Sequence, residues 1–219
     1  MAQIRGNLFG GFTGKLGLTY GRYVHGVNLG ASMPTKRGDK KASAQQKDLM
    51  ERFATLGTLA SGFLNAIRMG LKVAAKTMGP LVSEFDAFVK LNKDAVHVEG
   101  GITEIEYGSI LVAKGTLPQV GFAAASFENP LSVAVSFTPN SDTPGADADD
   151  KVYVVVYEPQ SKQSVMAAPV KRSAGEIVVR VPSTWSGQTV HVYGFAIGAG
   201  RENTGVIANS AFIGTGRVG

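Results

Sequence analysis

The sequence predicts an α+β fold in which a glycine-rich β-hairpin and a helical segment precede an all-β sandwich. Three observations predict this order. Glycines recur every three or four residues up to Gly30, an apolar stripe with helical spacing follows, and short β-branched runs separated by turn residues fill about the second half of the chain. We expect three segments, at residues 1–34, 35–93 and 104–219.

The first segment is predicted to form a basic β-hairpin. Strand-like alternation runs through Leu16–Tyr20 and again through Val27–Leu29, and Tyr23–Gly26 is expected to turn between them. An isolated two-stranded hairpin is only marginally stable in water. This hairpin is therefore expected to pack on the remainder of its own chain or on another copy.

Gly14 and Lys15 give the same segment a superficial likeness to a phosphate-binding loop. Such a loop needs an earlier glycine four residues before the Gly-Lys pair and a Ser or Thr directly after it, to meet magnesium. Those two positions hold Phe9 and Leu16. The loop also lies between a strand and a helix, whereas strand-like alternation follows Lys15, so the spacing excludes a nucleotide site.

A helix is predicted to begin after Ser43, because Ser43 and Gln46 have the spacing of a capping box. A helix that ran from there to the Met78-Gly79-Pro80 stop would be about 50 Å long. Because that is too long for a compact domain, breaks are expected among Gly57, Gly62 and Gly70. The apolar positions advance by fours and threes along one face, and they are Leu49, Phe53, Leu56, Ala60, Phe63, Ile67 and Leu71. A shorter helix is expected over residues 83–91.

The second half of the chain is predicted to be a sandwich of the immunoglobulin or fibronectin type, because seven or eight short strands are typical of that fold. Jelly-roll and barrel arrangements remain alternatives. The run Val152–Tyr157 is apolar on both faces and indicates a central strand. The predicted strands are residues 109–113, 121–127, 131–137, 152–157, 164–168, 176–181, 190–197 and 206–213.

The residue types give no support for an enzyme, a cofactor or a metal centre. The chain has no cysteine, which excludes thiolate chemistry, and His25, His97 and His191 lie far apart in the sequence. We expect structural roles for all three. No apolar run of 18 residues appears, and the first residues lack the pattern of a signal peptide. The expectation is a non-enzymatic protein made in the cytoplasm, without a membrane span.

Two local features allow alternative interpretations. The loop that holds Asp142, Asp147, Asp149 and Asp150 is expected to be a solvated turn, with calcium binding as the alternative, although its spacing does not fit an EF-hand. Trp185 is expected to cover one end of the sandwich core. The alternative is a sandwich that binds carbohydrate or another surface through the loop around Trp185.

The charges are divided unevenly along the chain. Residues 1–93 hold 14 Lys and Arg against 5 Asp and Glu, whereas residues 94–219 hold 8 against 12. Such a division favours an acidic partner such as nucleic acid, or contact between the two halves of neighbouring copies. The predicted partner-binding residues are Lys15, Tyr20, Arg22, Tyr23, Lys36, Arg37, Lys40 and Lys41.

Several stretches together resemble an uncharacterised family, a domain of unknown function found in Bacteroidota and in their phages and prophages. These stretches are GGFTGKLGLTYGRYVHGVNLGASMPTK, SAQQKDLMERFATL, KVYVVVYEPQ, VPSTWSGQTVHVYGFA and NTGVIANSAFIG. Gly14-Lys15-x-Gly17 and Ala44-Gln45-Gln46 also resemble the start of proteins from phage structural gene clusters. Many relatives carry Arg-Ser before the linker proline, where this chain has Ser32-Met33-Pro34.

These observations favour a structural or interaction protein, a phage-derived virion or assembly component. The N-terminal hairpin and helix would dock onto other protein subunits, as in a homo-oligomer, and the sandwich would be displayed. The alternative is a nucleic-acid-binding protein that uses the basic N-terminal region, where cations would meet phosphates and aromatic rings would stack on bases.

Overall fold

The computed structural model describes residues 3–4, 12–24, 26–33, 41–128, 130–199 and 206–219. The chain divides into two compact units, Met1–Ser43 and Ala44–Gly219. The second unit contains both the helices and the sandwich strands. The predicted α+β class with an all-β sandwich is confirmed.

The first unit is a small antiparallel sheet with strands in chain order, which we call the N-terminal sheet. It comprises β1 (Gln3–Ile4), β2 (Phe12–Leu16), β3 (Thr19–Val24) and β4 (Val27–Ser32). The predicted strand through residues 16–20 is wrong, because the chain turns at Gly17-Leu18. Gly17 takes φ +59°, a left-handed conformation that favours glycine, and so permits a tight turn there. β3 then continues to Val24, so the turn predicted at Tyr23–Gly26 begins later than expected.

The helical segment is a kinked rod followed by a shorter helix. Its helices are α1 (Ala44–Gly62), α2 (Leu64–Gly70), α3 (Lys72–Met78) and α4 (Glu84–Leu91). The breaks fall at Phe63 and Leu71, directly after two of the three predicted glycines. Backbone hydrogen bonds cross both breaks, from Phe63 N to Leu59 O at 2.9 Å and from Leu71 N to Ile67 O at 2.9 Å. Some helical hydrogen bonds are therefore retained across both breaks.

The two kinks lie where the rod meets other backbone. A Cβ added to Gly62 would lie 2.7 Å from the carbonyl oxygen of Lys162, and one added to Gly70 would lie 2.7 Å from Cβ of Ala113. A Cβ on Gly57, which stays inside α1, would meet only the Phe85 ring, at an ordinary 3.6 Å. Close approach therefore requires glycine at both kinks.

A hairpin between the helices and the sandwich was not predicted. It comprises β5 (Val96–Glu99) and β6 (Ile102–Ile105), joined at Gly100-Gly101. Both glycines have positive φ, +59° and +83°, as a two-residue hairpin turn requires. Alternation on either side of a Gly-Gly pair is a sequence signal for such a hairpin.

The sandwich consists of two antiparallel sheets. The first has the order β12-β8-β7 and the second β10-β9-β13-β14, with β11 also pairing with β9. The first sheet thus has three strands and the second has five, one strand more than the three and four of a fibronectin-type sandwich. The strands are β7 (Gly121–Ser126), β8 (Ser132–Thr138), β9 (Lys151–Glu158), β10 (Gln163–Met166), β11 (Val170–Lys171), β12 (Glu176–Arg180), β13 (Thr189–Ile197) and β14 (Ala211–Arg217).

The second sheet is buried on both faces. Val152, Val154 and Val156 of β9 pack in the core between the two sheets. The alternate residues Tyr153 and Tyr157 lie in a second core, together with the apolar faces of the helices. Because successive side chains of a strand point to opposite faces, the apolar run of β9 serves both cores. The second unit is thus a three-layer structure with the helices outside one sheet.

Two of the predicted strands are wrong at the junction of the helices and sandwich. Residues 109–113 form no strand. The backbone donors of residues 111–113 go to side chains, as in Leu111 N to Asn92 Oδ1 at 2.7 Å and Val112 N to Ser210 Oγ at 2.9 Å. The predicted strand at 206–213 begins instead at Ala211, after isolated bridges at Ile207 and Ala208. Long-range side-chain hydrogen bonds thus replace a strand ladder here.

We predict that Gly62→Ala and Gly70→Ala each lower the free energy of unfolding by about 1–3 kcal/mol, because the added methyl group overpacks a backbone contact. Gly57→Ala is the matched control in the same rod. It should leave stability unchanged or raise it by about 1 kcal/mol, since alanine favours helix. Urea denaturation of the three variants measures the difference, and equal effects at all three positions would contradict this account of the kinks.

Candidate interaction surface

The N-terminal sheet has no hydrophobic core of its own among its described residues. Of residues 12–24 and 26–33, Gly21 alone is buried. Large apolar side chains are instead exposed, from 42% to 85% of their surface. They are Leu16, Leu18, Tyr20, Tyr23 and Val27. Because these apolar side chains are not buried, packing against another element would stabilise the sheet.

Strand register divides the predicted partner-binding residues between the two faces of this sheet. Lys15 pairs with Tyr20, and Thr13 lies opposite Arg22 because Gly14 pairs with Gly21. Since paired residues share a face and residues two apart share it too, these four side chains project together. We call them the cationic face.

Tyr23 lies on the opposite face, with a row of glycines at Gly14, Gly21 and Gly30. The ring of Phe12 crosses this row, and a Cβ on Gly21 would lie 2.7 Å from Cδ2 of that ring. Asn28 Nδ2 donates a hydrogen bond to the Phe12 carbonyl at 2.8 Å. This face is thus partly closed by its own residues, whereas the cationic face is open.

The basic linker contributes one described residue to the predicted set. Lys41 is exposed just before α1. Lys36, Arg37 and Lys40 lie outside the described residues, as does His25. The structure therefore brings Lys15, Tyr20 and Arg22 together and separates Tyr23 from them.

A second open surface, which sequence reasoning missed, lies on the β5–β6 hairpin. The inward side chains Val96, Val98 and Ile105 pack on the helical core. The outward ones are His97, Glu99, Ile102 and Glu104, which line a shallow cavity of about 280 Å³. Ile102 is 70% exposed. We call these four residues the acidic hairpin face.

The acidic loop is organised around a buried ion pair. Arg172 Nε and Asp150 Oδ2 are 3.1 Å apart, and both side chains are almost fully buried. Arg172 also donates to Asn140 Oδ1 at 2.7 Å and to the Pro118 carbonyl at 2.9 Å, while Asp150 Oδ1 accepts from Ala199 N at 3.0 Å. These hydrogen bonds fix three loops at one end of the sandwich.

The other carboxylates of that loop do not converge. Asp149 pairs with Lys171 at 2.8 Å, and Asp147 accepts a hydrogen bond from the Asp149 amide at 2.9 Å. Asp142 is exposed on the same loop. Throughout the segments that the structure describes, no three His, Cys, Asp or Glu side chains are grouped so that they could hold a metal ion.

Trp185 and His191 have structural surroundings. Trp185 is 2% exposed and belongs to the core between the sheets, as expected for a residue that covers the sandwich core. The Trp185 side chain is therefore not exposed to a ligand, and binding through the loop around it stays a prediction. His191 is buried, stacks on Tyr107 at 3.8 Å between ring centroids, and lies 2.8 Å from Thr215 Oγ1 through Nδ1.

Burial explains the shifted pKa values of the side chains near His191. Burial raises the pKa of Tyr193, whose hydroxyl donates to the Tyr107 carbonyl at 2.9 Å. Burial, and then the neighbouring Tyr107 and Glu158, raise the pKa of Tyr157 to about 12. Burial lowers the pKa of His191 to about 4. These groups stay neutral at pH 7 and contribute packing.

We predict that the free energy of unfolding rises with pH between about 4 and 6.5 because of His191. In this window the unfolded chain binds a proton on the imidazole and the folded chain does not, so acidification favours unfolding by at most about 3 kcal/mol. Denaturation from pH 4 to 7 measures the slope. His191→Gln should flatten it, and the exposed His97→Gln should not. A slope unchanged in His191→Gln would contradict the assignment.

No helix in the described segments is long and apolar enough to cross a membrane.

Comparison with known proteins identifies the family of the chain. A family model described as "Family of unknown function (DUF6266)" matches residues 11–214. No curated protein matches the chain. Among solved structures, the fn3 domain of human collagen alpha-1(XX) chain is similar, at 20% identity, over 48% of this chain and 88% of that domain, with a TM-score of 0.32. The sandwich assignment itself rests on the strand order of the two sheets.

Proposed function

The chain belongs to the DUF6266 family, whose function is unknown, and we propose that it is a non-enzymatic structural or interaction protein. Its N-terminal sheet and the start of α1 dock onto neighbouring protein subunits, and the sandwich is displayed. The observation that carries the proposal is a sheet with one buried residue and five large exposed apolar side chains in its described part. Covering such side chains stabilises an assembly by roughly 25 cal/mol per Å² of apolar surface.

The first turns of α1 support the proposal. Leu49 and Phe53 begin the apolar stripe that continues into the buried Leu56 and Ala60, yet they are 62% and 61% exposed. Met50 beside them is 59% exposed. The stripe thus extends beyond the core that it helps to form, and an apolar surface of this kind marks an interaction site.

A non-enzymatic role is favoured because the buried titratable groups have structural roles. The buried Tyr193, His191 and Arg172 all hold packed elements together, through hydrogen bonds or ring stacking. A phage-derived virion or assembly setting is supported by the resemblance of Gly14-Lys15-x-Gly17 and Ala44-Gln45-Gln46 to the N-termini of phage structural proteins.

We predict that the full chain self-associates and that Tyr20→Ser with Val27→Ser weakens this association about tenfold or more, because exposed aromatic anchors carry much of the energy of an interface. Sedimentation velocity over a concentration series measures it. Val178→Ser is the control, since Val178 is a comparably exposed apolar residue of the sandwich, at 51%. A wild-type chain that stays monomeric and joins no larger particle would contradict the proposal.

A second function is favoured by the cationic face itself. Lys15 and Arg22 flank Tyr20 on one open surface, and such a combination of cations and an aromatic ring suits single-stranded nucleic acid. Lys41, just before α1, is a further exposed cation in the basic N-terminal region. We propose nucleic-acid binding as the alternative role of the N-terminal unit.

We predict for this alternative that affinity for a single-stranded oligonucleotide falls steeply with salt, with a slope of log K against log salt near −0.7 for each phosphate that the protein neutralises. Lys15→Gln with Arg22→Gln should make the slope shallower by about 1.4, since two phosphates are then no longer neutralised. Tyr23→Ala, on the other face, should leave the slope unchanged. Gel-shift titration over a salt series decides, and weak, salt-independent binding would remove the alternative.

A further inference from the structure

The acidic hairpin face and the cationic face have the same arrangement with opposite charge. On the hairpin, Glu99 pairs with Ile102, and Glu104 lies two residues further along the second strand. The carboxylates are therefore diagonal neighbours around an apolar side chain. Diagonal neighbours of this kind lie about 7–8 Å apart.

The N-terminal sheet repeats this arrangement with cations. Lys15 pairs with Tyr20, and Arg22 lies two residues further along the second strand, so the two cations are diagonal neighbours around an aromatic ring. The remaining position of each quartet holds a polar side chain, Thr13 here and His97 on the hairpin. Two matching antiparallel ladders thus present complementary patterns.

Both quartets are open to solvent. Tyr20 is 46% and Ile102 is 70% exposed, and the charged residues around them are exposed as well. Each quartet lies on a face that its own unit leaves uncovered, since β5 and β6 turn their other side to the helical core. Charge complementarity of this kind steers association and fixes the register of an interface.

We propose that the acidic hairpin face of one copy of this chain receives the cationic face of a second copy. The inference rests on the proposed function and names its partner and its receiving surface. Glu99 and Glu104 pair with Lys15 and Arg22 of the other copy, and Ile102 packs on Tyr20. Because donor and acceptor are different surfaces, the contact is head-to-tail and builds a ring or a filament.

The contact is weak in isolation and depends on salt. Two faces of about four residues each bury less than the roughly 1,200 Å² of a stable complex, so repetition along an assembly has to strengthen it. Exposed ion pairs are screened at high ionic strength. Association should therefore grow with concentration and fall as salt is added.

Charge reversal tests the proposal in the full chain. Lys15→Glu with Arg22→Glu makes both faces acidic, and Glu99→Lys with Glu104→Lys makes both basic. Each double variant alone should associate at least about a hundredfold more weakly than wild type, because like charges are brought together. Asp142→Lys with Glu176→Lys and Lys114→Glu with Arg180→Glu apply the same charge changes to exposed residues elsewhere, and should associate like wild type.

Mixing the two charge-reversed variants is the decisive step. In the mixture every reversed face finds an opposite partner on the other variant, so equimolar mixing should restore association in sedimentation velocity at low salt. A contact within one chain gives no such recovery. Variants that associate like wild type, or a mixture that stays monomeric, overturn the inference and leave the proposed function standing if wild type still associates. A monomeric wild type overturns both.

Discussion

Strand β9 must be covered on both faces, and the architecture of the second unit depends on this requirement. Its apolar side chains point to both faces of the sheet, so neither face can be exposed to water without cost. The neighbouring strand β13 is also apolar on both faces, through Val192, Tyr193 and Phe195. One face is covered by the opposing sheet and the other by the helices. The sandwich and the helices therefore form one folding unit.

This requirement also explains where exposed apolar surface remains. The buried positions of α1, α2 and α3 are used against β9 and β13, and glycine at the two kinks lets the rod follow the sheet closely. Large exposed apolar side chains are then concentrated in the N-terminal sheet, at the start of α1 and at Ile102. A chain that covers its central sheet so fully and leaves these sites open is suited to assembly with other subunits.

Much of the fold could be predicted from local signals. β-Branched alternation indicates strands such as β8, β9, β12 and β13, and glycines in an otherwise helical stripe indicate the kinks. The segment 109–113 could not be predicted, since its hydrogen-bond partners Asn92 and Ser210 are distant in the sequence. The sequence indicated which basic and aromatic residues could bind a partner, but not which of them share a face of the sheet. That grouping depends on the turn at Gly17-Leu18, which the alternation of apolar residues did not locate.

We infer that another subunit packs on the N-terminal sheet and stabilises it. Hydrogen exchange of the amides of β3 and β4, followed from dilute to concentrated solutions of the full chain, tests it most directly. We expect these amides to exchange fast in the monomer and to slow about tenfold or more as the chain associates, while amides of β9 stay protected throughout. Slow exchange of β3 and β4 in the dilute monomer, unchanged by concentration, would show a sheet that is stable alone and would contradict the account.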